Sequence, residues 1–244
     1  MREGLDAQET LDALVREGGS EALRQVAMVD SRGSVAVHTG SRCVPKAGSA
    51  TADGVSAQAN MMQRDTVWGA MLGAYSSASG DLADRLIAAL RAAEAEGGDM
   101  RGRQAAALVV VSGSPEDKPW HRVIDLRVDD HPDPVGELDR LLAHHRAFGH
   151  LARSGDHAAA FRLAESLEEL DLAIAVAPDD DQIAFWRALA LAGNGRLQEA
   201  RSEMDRIRLS EPRWPGYLRR VAEAGMFPND PSVLDAIAPL EPAG

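Results

Sequence analysis

The stretch Gly97-Gly98-Asp99-Met100-Arg101-Gly102-Arg103-Gln104 runs straight into the apolar segment Ala105–Val111. Two glycines end the preceding helix, because glycine takes the left-handed cap conformation at little cost. Asp99, Arg101 and Arg103 then place three charges just ahead of a buried strand. Downstream comes a second such run, Asp125-Leu126-Arg127-Val128-Asp129-Asp130-His131-Pro132-Asp133-Pro134-Val135. Both set charged groups and turn formers at the ends of short apolar strands, where loops on a rigid scaffold carry function. Each also has a purely structural reading. A salt bridge fixes the entry to the first strand, and Asp133 caps a helix whose first position is Pro134. That leaves Asp129, Asp130 and His131, carboxylates beside an imidazole, which are the makings of an acid–base site.

Working outward, Ala7–Glu17 reads as a helix with Leu11, Leu14 and Val15 on one face, stopped by Gly18-Gly19. Leu23–Val29 and Ser34–Thr39 read as a hairpin about the turn Asp30-Ser31-Arg32-Gly33. Gly40–Gly54 reads as a loop and Val55–Met61 as a short strand. Helices follow at Asp65–Tyr75 and Leu82–Glu96, then strands at Ala105–Val111 and Val123–Val128 separated by the turn-rich Ser112–Pro119.

After Pro134 the pattern is wholly helical, with helices expected at Val135–Arg153, His157–Val176, Asp181–Leu191, Leu197–Leu209 and Pro215–Ala224. Breakers stand at Gly155, Pro178, Gly193–Gly195 and Pro212. The spacing places a domain boundary near residue 150, giving units 1–150 and 151–244. In the second unit, Trp186–Ala192, the turn Gly193-Asn194-Gly195-Arg196, Ala200 and Pro212 have the make-up of a tetratricopeptide-like repeat. Its upstream partner is weaker: counted from Gly155 to Gly195, the period exceeds the roughly 34 residues such repeats prefer. An ordinary helical bundle is the equal alternative. Between Glu165 and Asp181 lie seven acidic residues and no Lys or Arg, a solvated face or a surface for a basic partner.

The 244 residues carry a net charge of −12 and no basic stripe, which argues against nucleic acid. No run of 18 apolar residues exists, so no membrane span is expected. The polar start Met1-Arg2-Glu3-Gly4 has no signal-peptide core, and the single Cys43 excludes an internal disulfide. A cytoplasmic protein is expected. No nucleophile elbow, phosphate-binding glycine loop or zinc-protease helix is present. Neighbouring helical residues point about 100° apart, so His144 and His145 cannot converge on one ion; no metal and no cofactor is expected. Cys43 lies in a loop between Arg42 and Lys46, cations that lower a thiol's pKa, although a buried loop cysteine is the commoner case.

Taken together, the runs resemble the bacterial and archaeal family labelled domain of unknown function 1028, which is placed in the N-terminal nucleophile (Ntn) hydrolase superfamily. The matching residues are Thr39–Cys43 with Ala47-Gly48, Gln58-Ala59-Asn60, Gly97–Gln104 with Ala105-Ala106 and Leu108, and Asp125–Val135, covering about residues 4 to 148. Ala59 stands where the family leads one to expect Gly, and Ala105 where Ser is expected. The resemblance implies an α+β fold: an incomplete four-layer αββα sandwich, followed here by the small all-α unit. It also implies roughly sixty residues upstream carrying the first strands. In such hydrolases an N-terminal Thr, Ser or Cys attacks an amide carbonyl. Its own α-amine, with a pKa of about 7.7–8.0, takes the proton. Met1-Arg2 supplies no such group, so the chain as written is expected to lack the reaction and to leave bare sheet edges, as a mis-assigned start or a shortened chain would.

Within that resemblance, Asn60, Asp99, Asp129 and His131 are the candidate catalytic residues, Asn60 helping to hold an oxyanion. Arg101, Gln104, Asp130 and Cys43 are the candidate substrate-binding residues. The expected activity is amide or peptide-bond hydrolysis of a small amide or peptide-like substrate. The alternative is a non-catalytic interaction protein that binds a protein partner through its helical repeats. A homo-oligomer is compatible with either.

Overall fold

The computed structural model describes residues 4–239 except 115, 117, 119 and 120; Met1 and Arg2, and part of the expected turn Ser112–Pro119, lie outside the described residues. The chain divides into two compact units between Asp139 and Arg140. The division falls inside a helix that also holds residue 150, where the sequence placed the boundary.

The N-terminal unit opens with α1 (Ala7–Glu17), begun by a reciprocal cap in which the Glu9 amide donates to Asp6 Oδ1 at 2.8 Å and the Asp6 amide to Glu9 Oε2 at 3.0 Å. A short 3-10 turn at Glu21–Leu23 leads into the antiparallel hairpin β1 (Gln25–Val29) and β2 (Val35–Thr39), with Gln25 opposite Thr39. Asp30 Oδ1 accepts the Arg32 and Ser34 amides in the connecting turn, and Gly33 supplies its positive φ. Ala7 and Leu11 of α1 pack on Ala36, Val26 and Met28, which share one face of this hairpin.

A second antiparallel hairpin joins β3 (Gly48–Ala52) to β4 (Val55–Ala59). Here the structure departs from the sequence expectation, which left Gly40–Gly54 as loop. Gly-Ser-Ala-Thr-Ala lacks the bulky β-branched run that marks a strand, and β3 forms because tertiary packing supplies what propensity does not. The two hairpins stack, β1 over β4 and β2 over β3. Helix α2 (Val67–Ser77) covers the outer side of the second hairpin, its Trp68 ring lying against Gly48. Helix α3 (Leu82–Ala95) packs on α2. A third hairpin, β5 (Ala106–Val111) with β6 (Arg122–Val128), then leads to α4 (Pro134–Ala159). The sheets among the described residues are three separate two-stranded ladders. The unit is therefore mixed α and β with small antiparallel sheets.

The C-terminal unit is helical: the end of α4, then α5 (Leu163–Val176), α6 (Asp181–Gly193), α7 (Leu197–Ser210), α8 (Trp214–Glu223) and α9 (Pro231–Ile237). Its core gathers Phe185, Ala188, Leu191, Ala200, Met204, Ile207, Leu218 and Ile237. Phe185 stacks on Trp214 at 4.9 Å between ring centres.

Three expectations need correcting. Gly155 does not break a helix; α4 runs through it to Ala159. One glycine costs a helix only about 1 kcal/mol, and the buried Ser154 hydroxyl beside it is tied to Ser166 on α5 at 2.9 Å. The break comes instead at Ala160–Arg162, where Phe161 takes a φ of 59°. The repeat counted from Gly155 is accordingly out of register. The Phe161 amide donates to Ala158 O and the Arg162 amide to His157 O, the left-handed helix ending that also closes α3 at Gly97-Gly98, α6 at Gly195-Arg196 and α8 at Gly225-Met226. Phe161 and Gly195 lie 34 residues apart, and so do Pro178 and Pro212. Finally, α9 was not anticipated. Asp230 caps it through the Ser232 amide at 2.8 Å and Pro231 begins it, the same signals used elsewhere along the chain.

Candidate functional site

The register of the second hairpin sorts its side chains by polarity. Ser49 faces Gln58 and Thr51 faces Ser56, so these four share one side of the ladder. Gly48, Ala50, Ala57 and Ala59 occupy the other, against α2. The polar side therefore turns towards the first hairpin. There Gln25 acts as a hub: the two hydrogens of its Nε2 are shared among Ala59 O at 3.0 Å, Thr39 Oγ1 at 3.1 Å and Gly48 O at 3.2 Å. Its Oε1 accepts Asn60 Nδ2 at 2.9 Å. One amide side chain thus clamps the ends of both hairpins together. Along the same seam, Ser56 Oγ and Gln58 Oε1 are buried with no hydrogen-bond partner among the described residues. Polar atoms that lose water without gaining a partner cost about 1–3 kcal/mol each, so they mark a place fitted for a polar ligand or bound water.

Asn60 is the one candidate catalytic residue that falls in this seam. The segment after it carries the Gly97 run alongside. The Gln63 amide donates to Gly98 O and the Met100 amide to Met61 O, both at 2.9 Å, and Met62 and Asp99 form an isolated antiparallel bridge. Gly97 and Gly98 hold the positive φ values, 106° and 62°, that let the chain leave α3 this way. Asp99 spends its carboxylate locally: Oδ1 accepts the Arg101 amide at 2.8 Å and Arg101 Nε at 2.9 Å, and Oδ2 accepts Nη2 at 2.6 Å. The Arg101 guanidinium holds the Asp99 carboxyl below its usual range, outweighing partial desolvation, and Asp99 in turn raises Arg101. Arg103 pairs with Glu94. The charges ahead of β5 are in large part satisfied by their neighbours.

The second run is arranged differently from the sequence expectation. Asp129 pairs with Arg127, both carboxylate and guanidinium well exposed, instead of with His131. Asp130 is exposed. His131 Nδ1 accepts the Asp133 amide at 3.1 Å, which places the ring proton of the neutral form on Nε2. Asp133 Oδ1 in turn accepts the Gly136 amide at 3.3 Å, the expected cap of α4. The two runs do meet, through the backbone: the His131 amide donates to Gln104 O at 3.0 Å. The Gln104 side chain is exposed. Cys43 stands apart, half-buried, its Sγ directed at Arg24 O at 3.5 Å.

Gln25, Ser49, Ser56 and Gln58 were missed at the level of sequence. Their signal is the alternation Val-Ser-Ala-Gln-Ala in β4, which sets polar against small residues at period two. It becomes readable only once β3 is known to pair opposite.

In the helical unit, His144 Nε2 meets Asp180 Oδ2 at 2.8 Å, and His150 Nδ1 meets Glu169 Oε2 at 2.7 Å. These are helix-to-helix ties. No group of three or more His, Cys, Asp or Glu side chains is placed to hold a metal ion among the described residues. None of the described helices is long and apolar enough to cross a membrane.

No curated protein matches the sequence. Among solved structures, the crystal structure of protein SPO2555 from Silicibacter pomeroyi, assigned to DUF1028, is similar at 32% identity and a TM-score of 0.50. The similarity covers 58% of this chain and 60% of that one, so this chain spans about 60% of its relative's length. The profile of the family of unknown function DUF1028 matches residues 1–138, which takes in both hairpins of the seam, the Gly97 run and the Asp125 run. By that match, over more than half its length, the chain belongs to the family of unknown function DUF1028.

Proposed function

We infer that the N-terminal unit recognises amide groups, as an amidohydrolase of the Ntn class does. The observation that carries this reading is the amide-rich seam between the stacked hairpins, where Gln58 Oε1 and Ser56 Oγ are buried without partners beside the Gln25–Asn60 pair. An amide ligand offers both an N–H and a C=O, the complement of such a mixed lining. Asn60 commits one N–H to Gln25 and keeps a second that is suited to a carbonyl oxygen developing negative charge. Arg101, Gln104, Asp130 and His131 are the groups offered to the polar ends of a substrate, with Asp99 and Asp129 holding the two guanidinium groups at the strand ends. Hydrolysis in this class needs an N-terminal Thr, Ser or Cys.

The test is the N-terminal sequence and intact mass of the protein from its own source, together with turnover of a panel of N-acetylated amino-acid p-nitroanilides. A Thr, Ser or Cys start with turnover that Asn60→Ala lowers about a hundredfold supports the reading. A start at Met1 with no turnover overturns the hydrolase.

A second reading concerns the helical unit. The spacing of 34 shared by Phe161 and Gly195 and by Pro178 and Pro212 supports tetratricopeptide-like repeats, and these present a surface to a protein partner. Phe161 is 91% exposed on the first of these turns. Affinity capture by the full chain, compared with Phe161→Ser, tests it: a protein lost with the variant supports the reading, and capture unaffected by the change removes Phe161 from it.

A further inference from the structure

β2 pairs with β1 on one side and with no strand on the other among the described residues. In an antiparallel pair, residues alternate between those that bond across the ladder and those whose backbone points away from it. The Gly40 amide donates to Arg24 O, and the Asp30 amide to Ser34 O. Together with the register, these fix Arg24–Gly40, Val26–His38 and Met28–Ala36 as the bonded pairs. The N–H and C=O groups of Val35, Val37 and Thr39 therefore point away from β1. Sheet order places no strand on that side among the described residues, and no hydrogen bond to these groups is made there.

The edge opens onto a groove of about 520 Å³. Val37, Thr39 and Ser41, the alternate residues of the outward edge and its continuation, line one wall. Val15 of α1, beside the nearly buried Leu11, gives the groove a small apolar floor. Asp12 and Arg16 stand one helical turn apart on the opposite rim, and Glu21 closes one end. Arg16 is held only by its Nε, which donates to Asp12 O at 3.0 Å, and its terminal nitrogens have no carboxylate partner among the described residues. The Glu21 carboxylate is likewise unpaired there, its backbone oxygen meeting His38 Nε2 at 2.9 Å.

We propose that this groove binds an extended peptide of a partner protein by strand addition to β2. The side chains that face α1 are aliphatic beside Val15 and basic at the end nearest Glu21 and Asp12, and the intervening ones, which face away from α1, are polar. A continuous backbone edge beside an apolar floor is what strand addition requires: main-chain bonds supply affinity and alternate pockets supply specificity. Three outward-facing residues set the length at about five residues, since a strand presents every second residue to one edge. The groove lies on the α1 side of the first hairpin and does not depend on the amide seam.

The probe is acetyl-Val-Thr-Val-Thr-Lys-amide, with its fully N-methylated counterpart as control. Hydrogen exchange is followed by NMR on the full chain. Saturable binding that slows exchange at the Val37 and Thr39 amides at least tenfold is expected, and the N-methylated peptide should give no such protection. Val37→Pro removes an outward N–H that makes no ladder bond, a change edge strands accommodate. It should abolish binding while leaving thermal unfolding near that of the parent. If that variant fails to fold, the N-methylated peptide still decides. Equal binding of the two peptides, or no protection at Val37 and Thr39, overturns the proposal. Protection of these amides that grows with protein concentration in the absence of peptide also overturns it, and assigns the edge to a second copy of the chain.

Discussion

Phe161 occupies, in the turn between α4 and α5, the place that Gly195 holds in the turn between α6 and α7. Both residues are left-handed, at φ 59° and 77°, and both make the same backbone hydrogen bond to the residue three before. Glycine takes this conformation freely, whereas a residue with a Cβ pays about 1–2 kcal/mol. Phe161 recovers none of that by burial, since it is 91% exposed. Phe161→Gly should therefore stabilise the helical unit, by about 0.5–1 kcal/mol after the greater unfolded-state freedom of glycine is subtracted. Gly195→Ala should lose about 1 kcal/mol. Urea unfolding of the two variants checks both signs; a Phe161→Gly protein less stable than the parent would show that the ring makes contacts the turn geometry does not reveal.

The clamp at the hairpin ends gives a second prediction. Removing the Gln25 amide leaves Asn60 Nδ2, Gly48 O and Ala59 O to find other partners in a half-buried seam. Gln25→Ala should destabilise the N-terminal unit by about 2 kcal/mol, since a single orphaned polar group costs about 1–3 kcal/mol. Asn60→Ala should cost less, and the double variant less than the sum of the two. Denaturant unfolding of the cycle measures this coupling. Additivity would mean that the two amides act independently.

What could be read from the sequence follows from where the signals are local. The turn Asp30–Gly33, the glycine exit at Gly97-Gly98 and the Asp133 cap of α4 are all set by residues within four of one another, and each has the expected form. β3 was not legible, because Gly48–Ala52 becomes a strand only against β4 and Trp68. With β3 hidden, the polar side of β4 had no meaning, and Gln25, Ser56 and Gln58 were passed over. Asp129 pairs with Arg127 at the end of β6, while His131 lies beyond the strand in the turn, where its Nδ1 accepts the Asp133 amide. The repeat register failed on Phe161, where the chain puts a bulky side chain in a glycine conformation.

Glu211 gives a prediction in pH. Arg213 donates to it through Nε at 2.8 Å, Nη2 at 2.5 Å and the backbone amide at 3.0 Å. The guanidinium contact first, and then the amide, hold the carboxyl at about 2 instead of 4.5. A depressed folded-state value means that the contribution to stability is complete above the unfolded carboxyl's 4.5 and fades as pH falls towards 2. Both groups are at the surface, so the effect on global stability is small, and the direct readout is the Glu211 Cδ shift by NMR. Its midpoint should lie near 2 and rise in Arg213→Gln. A midpoint near 4.5 in the parent would show that the pair does not persist in solution.

The contact of Gly48 with Trp68 tests how tightly the second hairpin is held to α2. A Cβ built on Gly48 would lie 2.5 Å from Trp68 Cζ2 and 2.7 Å from Cε2, distances that real side chains do not adopt. The obstacle is a rigid ring on a helix, so either Trp68 must change rotamer or β3 must move away from α2. Gly48→Ala should cost about 1–3 kcal/mol, the range for forcing extra atoms into a packed site. It should also weaken the Gln25 clamp, because Gly48 O is one of the acceptors of that amide. Trp68→Leu alone loses ring contacts but opens the space, so Gly48→Ala in that background should cost little. Urea unfolding of the two single variants and the double variant reads this as a favourable coupling. If Gly48→Ala costs the same with Leu as with Trp at position 68, the ring is not what demands glycine there, and the demand lies in the backbone of β3 itself.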